Sequence, residues 1–177
     1  MNEEVEAIRT VFIRSAADRL RQQNDRIVDC VGKLTEDQVW LRGNENSNSV
    51  GNIVLHLVGN LGQWVLHGVG GREDRRDRDA EFAARSGATK AELCARLNER
   101  VAEVIEILEE IPSSRLLEMV QPQGYQVLVM EVVTHITEHF YYHSGQVLLL
   151  TKLYLNEDLA YYRHLGGNNK AHAQSVP

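Results

Sequence analysis

Three histidines near the C-terminal end of the chain, His135, His139 and His143, have the type and spacing that most clearly suggest chemistry. Residues four positions apart occupy one face of a helix at successive turns. His139 and His143 fall on or beside an apolar stripe, which predicts that they point into the protein. Imidazole nitrogen binds zinc, nickel, iron or copper. A proton network or a packed aromatic cluster is the alternative that this stretch leaves open.

A third ligand has to come from another element, and the predicted helix over residues 49–69 offers His56 among apolar neighbours. If this helix and the histidine helix turn their inner faces to one axis, His56 lies next to His139 and His143. Three neutral imidazoles with one open position are a catalytic arrangement for a divalent metal, which would lower the pKa of a water in that position. Three glycines weaken the helix by propensity. They make sense if a neighbouring helix or a ligand comes close.

The rest of the chain supplies the elements that position these residues. Ser49 is a candidate N-cap, and Thr89 with Glu92 forms a capping box. Four long helical patterns without a convincing alternating strand predict an all-α four-helix bundle, in which the polar loop 70–88 allows a crossover connection. Phe82 is expected to contribute to a rim over the pocket. The helical patterns cover residues 3–34, 49–69, 89–111 and 126–154. The first pattern predicts an inward face made of Val5, Ile8, Phe12, Ala16, Leu20, Ile27 and Val31.

Length and composition indicate one domain, and we assign residues 1–160 to it and residues 161–177 to a C-terminal tail. The net charge of −6 gives no reason to expect nucleic-acid binding. No apolar run is long enough to cross a bilayer, and the acidic N-terminus lacks the apolar core of a signal peptide. The two cysteines make no disulfide framework, so a cytoplasmic protein is expected.

The string HFYYHSGQ, a His-x-x-x-His followed by x-Gly-Gln, resembles the signature of the DinB/YfiT-like superfamily of metalloenzymes. The string NSVGNIVLHLVGNLGQW resembles the second helix of that superfamily, which supplies its first metal-binding histidine. RDRDAEF and the end of the histidine helix are similar to one of its branches. The resemblance implies a four-helix bundle, often a homodimer, with nickel or zinc held by His56, His139 and His143.

Some members of the superfamily transfer a low-molecular-weight thiol, such as bacillithiol or mycothiol, to an electrophile. The first hypothesis is therefore a metal-dependent enzyme acting on a small-molecule substrate, with a thiol cofactor. A metal-dependent hydrolase, or a non-enzymatic, stress-related bundle that binds a metal or ligand, is the alternative. His135 and Gln146 are candidate catalytic residues, and Trp64 and Tyr142 are candidate pocket residues.

Two other metal sites fit parts of the same stretch. His135 to His139 matches H-x-x-E-H, the string of inverzincin proteases, which would make Glu138 a general base. A short all-α chain is a poor host for that enzyme, and His56 and His143 would have no role. A di-iron bundle needs inward Glu-x-x-His repeats on two helices. Glu131 precedes His135 by four positions instead of three, and no second repeat occurs.

Overall fold

The computed structural model describes residues 3–165, which form a helical bundle with two very short strands. The four long helices are α1 (Glu3–Lys33), α3 (Val50–Leu61), α5 (Lys90–Glu110) and α6 (Val129–Leu155), and two short helices, α2 (Glu36–Trp40) and α4 (Arg78–Ala83), lie in the connections. A π-helical turn, Gly62–His67, extends α3, and 3-10 turns occupy Ser113–Arg115, Pro122–Gly124 and Arg163–Leu165. The antiparallel strands β1 (Met119–Val120) and β2 (Val127–Leu128) precede α6.

The helices begin where the sequence provides caps. The Ser49 hydroxyl accepts the backbone N–H of Asn52, and the Asn52 side chain accepts the N–H of Ser49, so α3 starts with a reciprocal capping box. Thr89 and Glu92 form the equivalent box at the start of α5. The predicted caps at Ser49 and Thr89 are therefore confirmed.

Hydrogen bonds between helix ends fix the directions of the helices. Arg9 Nε donates to the Ile111 carbonyl at 2.7 Å, and Lys90 Nζ donates to the Leu34 carbonyl at 2.6 Å, so α1 and α5 run antiparallel. The middle of α1 faces the middle of α6 through the 3.2 Å bond from Tyr141 to Gln22, and Tyr154 near the end of α6 donates to the Leu41 carbonyl soon after α1 ends, so these two helices run parallel. The direction of α3 is opposite to that of α6, since His56 lies beside His143 while Trp64 lies beside His135.

It follows that α3 and α5 run in the same direction, and the chain between them has to return along the bundle. The segment between the π-helical turn and α5 is thus a crossover connection, which the sequence allowed. The prediction of an all-α four-helix bundle is confirmed. No helix within residues 3–165 combines the length and apolar character needed to cross a bilayer.

Three local predictions were wrong. Residues 126–128, assigned to the histidine helix, are extended and pair through Val127 and Leu128 with β1. The loop 70–88 contains α4, whose N-cap is Asp77. Residues 62–67 continue α3 as a π-helix instead of an α-helix. Residues 166–177 of the predicted tail lie outside the described part of the chain.

The inward face of α1 begins later than predicted. Val5 is 45% exposed and Ile8 is 67% exposed, whereas Ala16, Leu20 and Ile27 are buried. The reason is that Arg9 already meets Ile111, directly after the last residue of α5, so the earlier turns of α1 extend beyond that helix. The stripe of α6 is buried as predicted at Val132, Val133, Ile136, Phe140 and Val147, but Leu153 is 66% exposed.

An Ile→Ala pair tests this assignment of the core. Ile136 is fully buried on α6, and Ile136→Ala should lower the free energy of unfolding by about 2–5 kcal/mol, because it removes apolar contacts and leaves a cavity. Ile8→Ala removes the same atoms from an exposed site and should change it by less than about 0.5 kcal/mol. Urea unfolding of both variants measures the difference. Equal losses would mean that Ile8 is packed.

Candidate metal centre

Helices α3 and α6 bring together three of the predicted site residues, His56, His139 and His143, which we call the three-histidine cluster. One nitrogen from each ring can be chosen so that all three lie within 4.8 Å of one another. The Nε2 atoms of His56 and His139 are 3.2 Å apart, and the rings of His56 and His143 are 4.8 Å apart between centroids. Among residues 3–165, no other group of three or more histidine, cysteine or acidic side chains has ligand atoms close enough together to hold a metal ion.

Neighbouring side chains select which nitrogen of each ring is free. Nδ1 of His56 lies 3.1 Å from Glu81 Oε2, and Nδ1 of His143 lies 2.8 Å from Gln146 Oε1. Carboxylate and amide oxygens accept hydrogen bonds, so Glu81 and Gln146 favour the tautomers in which Nδ1 carries the proton and Nε2 presents a lone pair. Arg76 Nη2 also lies 3.0 Å from Nδ1 of His56, and in this arrangement it donates to Glu81 instead. Nitrogens bound at 2.0–2.1 Å in a tetrahedral zinc site are about 3.3 Å apart. The spacing and the donor set therefore fit a divalent metal.

Burial keeps two rings of the cluster, those of His139 and His143, uncharged. It lowers the pKa of His139 to about 3, with further lowering from the charges of His143 and His56. Burial also lowers the pKa of His143 to about 4, although the hydrogen bond with Gln146 acts in the opposite direction. At neutral pH both rings are in the neutral form that a metal requires.

Glu81 and Arg76 belong to this site, and neither was among the predicted site residues. Arg76 donates from Nε to Glu81 Oε1 at 2.8 Å and from Nη2 to Oε2 at 2.9 Å, a two-pronged ion pair. Burial alone would raise the pKa of Glu81, but the hydrogen bonds from Arg76 and His56 outweigh it and hold that pKa below its usual value. The ionised carboxylate thus fixes the His56 ring from behind.

A glycine of α3 makes room for this carboxylate. A Cβ atom at Gly59 would lie 1.8 Å from Glu81 Oε1, so any larger residue would displace the ion pair. Gly59 is one of the three glycines of the predicted helix, at which a close approach of a neighbouring helix or a ligand was expected. Gly59 and the presence of Glu81 within RDRDAEF were the signals in the sequence that could have pointed to this contact. The alternating charges of the segment instead favoured a loop exposed to solvent.

His135 lies outside the cluster. Its ring stacks on Trp64 with centroids 3.8 Å apart, and burial lowers its pKa. Its Nε2 is buried without a hydrogen-bond partner among the described residues. Trp64 itself is 5% exposed and packs behind His135, where its Nε1 donates to Gln123 Oε1 at 3.2 Å. His135 is therefore placed beside the site and not among its ligand nitrogens.

A cavity of about 560 Å³ opens beside the cluster. Phe82 lines it, with its ring 4.8 Å from that of His56, which agrees with the predicted rim. Tyr142 is 65% exposed at its edge, and Gln146 lines it next to His143. Such a volume suits a small molecule.

The competing metal sites are not supported by the geometry. Glu138 is exposed on α6 and is not among the described residues that line the cavity beside the cluster, so the geometry does not place it as a base there. Glu131 is also exposed, and its carboxylate accepts the backbone N–H of Leu128 at the start of the helix. Both acidic residues are thus part of the solvated face or the helix cap.

Solved structures share this fold. A conserved protein from Enterococcus faecalis has a TM-score of 0.68 and 16% identity over 81% of this chain and 97% of that one. The DinB-like protein YjoA from Bacillus subtilis has a TM-score of 0.64 and 16% identity over 84% and 96%. A mutant of mycothiol-dependent maleylpyruvate isomerase has a TM-score of 0.55 and 13% identity over 76% of this chain and 60% of that one. A search among curated proteins found no significant match.

The bundle thus shares its fold with DinB-like proteins. More particularly, the chain belongs to the DUF1572 family, described as a protein of unknown function, whose model matches residues 7–167.

The contact between Glu81 and His56 predicts an effect on metal affinity. Glu81→Gln removes the charge but keeps the size of the side chain. It should weaken zinc binding about 10- to 100-fold, because the orientation and the tautomer of the His56 ring would no longer be fixed by a carboxylate. Competition with a chromophoric chelator measures the affinity. Glu103→Gln, which changes a carboxylate paired with Arg72 away from the cluster, is the control. Equal affinities of the Glu81→Gln and wild-type proteins would contradict the assigned role.

Proposed function

We propose that the protein is a divalent-metal-dependent enzyme in which His56, His139 and His143 hold nickel or zinc and leave a position for a small nucleophile. The observation that carries the proposal is the convergence of three imidazoles from two helices at the wall of a cavity. Within residues 3–165 no cysteine or carboxylate joins them as a fourth ligand. An incomplete set of protein ligands is typical of catalytic sites, whereas structural zinc sites are closed by four.

A metal in this position would favour the deprotonated form of a bound water or thiol at neutral pH. The side chains around it do the rest of the work. Glu81 and Gln146 hold two of the imidazoles in one tautomer, and the apolar surroundings exclude protons from His139 and His143. The cavity then gives a substrate room to approach the cluster.

For the nucleophile we propose a low-molecular-weight thiol, transferred to an electrophilic small molecule. Thiolate is a soft ligand that suits zinc and nickel bound by imidazoles. The mycothiol-dependent isomerase shares the fold, which makes a thiol of this kind a reasonable candidate. Location in the cytoplasm and assembly as a homodimer are further expectations of the same proposal.

The metal content of single variants tests the ligand assignment. His56→Ala, His139→Ala and His143→Ala should each reduce bound nickel or zinc to below about a tenth of the wild-type amount, because two imidazoles hold a divalent ion weakly. Protein purified without a histidine tag is measured by elemental analysis. His67→Ala is the control, since Nδ1 of His67 is engaged by the Arg72 carbonyl outside the cluster. Full occupancy in His56→Ala would remove the assignment.

A thiol titration tests the nucleophile. With cobalt in the site, an added small thiol should produce a sulfur-to-metal charge-transfer band that strengthens as pH rises toward the pKa of the thiol, because the thiolate binds. His135→Ala should weaken the response while the metal is retained. Cobalt added to the His139→Ala protein is the control and should give no band. If added thiols do not change the spectrum of the cobalt-loaded wild-type protein, a metal-dependent hydrolase is favoured instead.

A further inference from the structure

The cavity beside the cluster has a one-sided charge. Among the described residues that line it there are two arginines, Arg76 and Arg78, and no aspartate or glutamate. The charge of Arg76 is compensated by Glu81, since both side chains are almost fully buried and joined by two hydrogen bonds. The charge of Arg78 is not compensated in this way.

Arg78 forms no ion pair with the residues described. Its guanidinium lies over the ring of Phe82, 4.9 Å from the centroid, and Phe82 in turn contacts His56. The neighbouring Asp77 turns its carboxylate to the backbone N–H of Ala80, where it caps α4. An exposed guanidinium is thus held at the cavity by an aromatic ring, with its N–H donors available.

Two amides leave further hydrogen-bonding groups free in the same cavity. Asn60, one turn beyond His56 on α3, is only 4% exposed, yet its side chain makes no hydrogen bond with the described residues. Gln123 uses its oxygen to accept from Trp64, which leaves its NH2 group as a donor. A buried polar group without a partner is costly, and such groups are normally satisfied by a ligand or by water.

We propose that this cavity binds a small organic anion and that a carboxylate of the ligand pairs with Arg78, while Asn60 and Gln123 bind its other oxygens. This inference rests on the proposed function for the metal in the same cavity, where three neutral ligands would leave the charge of a divalent ion uncompensated. Metal and guanidinium together then attract negative charge. The ligand is the electrophilic substrate of the proposed reaction or a close analogue of it.

The cavity favours an organic carboxylate over a free phosphate ion. Phosphate sites commonly use backbone N–H groups at a helix N-terminus, but at α4 Asp77 already occupies that position. The planar guanidinium can bind either anion with two parallel hydrogen bonds, so the other features decide. A volume of about 560 Å³ also exceeds what one inorganic ion would fill.

Calorimetry with three probes tests the proposal on the full-length protein, both metal-free and zinc-loaded. Succinate carries carboxylates, succinamide has nearly the same shape without charge, and inorganic phosphate is the alternative anion. Succinate should bind most tightly, and Arg78→Gln should weaken it at least about 10-fold, as expected for a charge-assisted pair. Asn60→Ala should also weaken it.

Arg75→Gln is the matched control, because the Arg75 side chain is 83% exposed, pairs with Glu73 and does not line the cavity. It should leave the affinity for succinate within about twofold. Succinamide binding as tightly as succinate, phosphate binding more tightly, or unchanged affinity in Arg78→Gln would each overturn the proposal.

The metal analyses separate this proposal from the proposed function. If His139→Ala retains its metal while Arg78→Gln no longer binds succinate, the metal-binding role proposed for the cluster is wrong and the anion site is supported. If the cluster holds the metal and Arg78→Gln binds succinate normally, only the anion site is wrong.

Discussion

The buried ion pair between Arg76 and Glu81 is the interaction on which the rest of the site depends. It joins the crossover segment to α3, and its carboxylate also holds the ring of His56. Removing one partner of such a pair leaves an uncompensated buried charge, which typically costs about 3–5 kcal/mol. Position 59 requires glycine for a steric reason, since the Glu81 carboxylate occupies the space that the Cβ atom of any other residue would need.

The same region shows how a polar crossover is fixed to an apolar bundle. The side-chain NH2 of Asn52 donates to the backbone carbonyls of Glu81 and Ala84, each at 2.8 Å, while its oxygen caps the start of α3. One amide therefore anchors α4 and closes the first turn of the helix that carries His56. Because of these bonds, Phe82 and Arg78 are presented to the cavity from a short helix with defined ends, and not from a mobile loop.

The sequence was sufficient for the parts of the site that depend on helical periodicity. The four-residue spacing on α6 and the apolar neighbours of His56 placed the three histidines on inward faces, and their convergence followed from packing two helices. Glu81 could not be found in this way, because its burial depends on Arg76 and Gly59, which are separated from it in the sequence and act only in three dimensions. The π-helical turn was not predicted for a related reason, since a change of hydrogen-bond register is not clearly reflected in the types of residue.

The position of Glu81, behind His56 and outside the three-histidine cluster, has consequences for the metal chemistry that we propose. A carboxylate bound directly to a divalent ion would cancel part of its charge and occupy a coordination position. From its place at Nδ1, Glu81 would strengthen His56 as a donor to a metal, while within the described residues the cluster itself contains no carboxylate. Arg76 in turn directs its charge to Glu81, which reduces its repulsion of a cation at the imidazoles. The geometry thus separates the negative charge that orients the ligands from the cavity in which a substrate would bind, and the cavity remains electropositive.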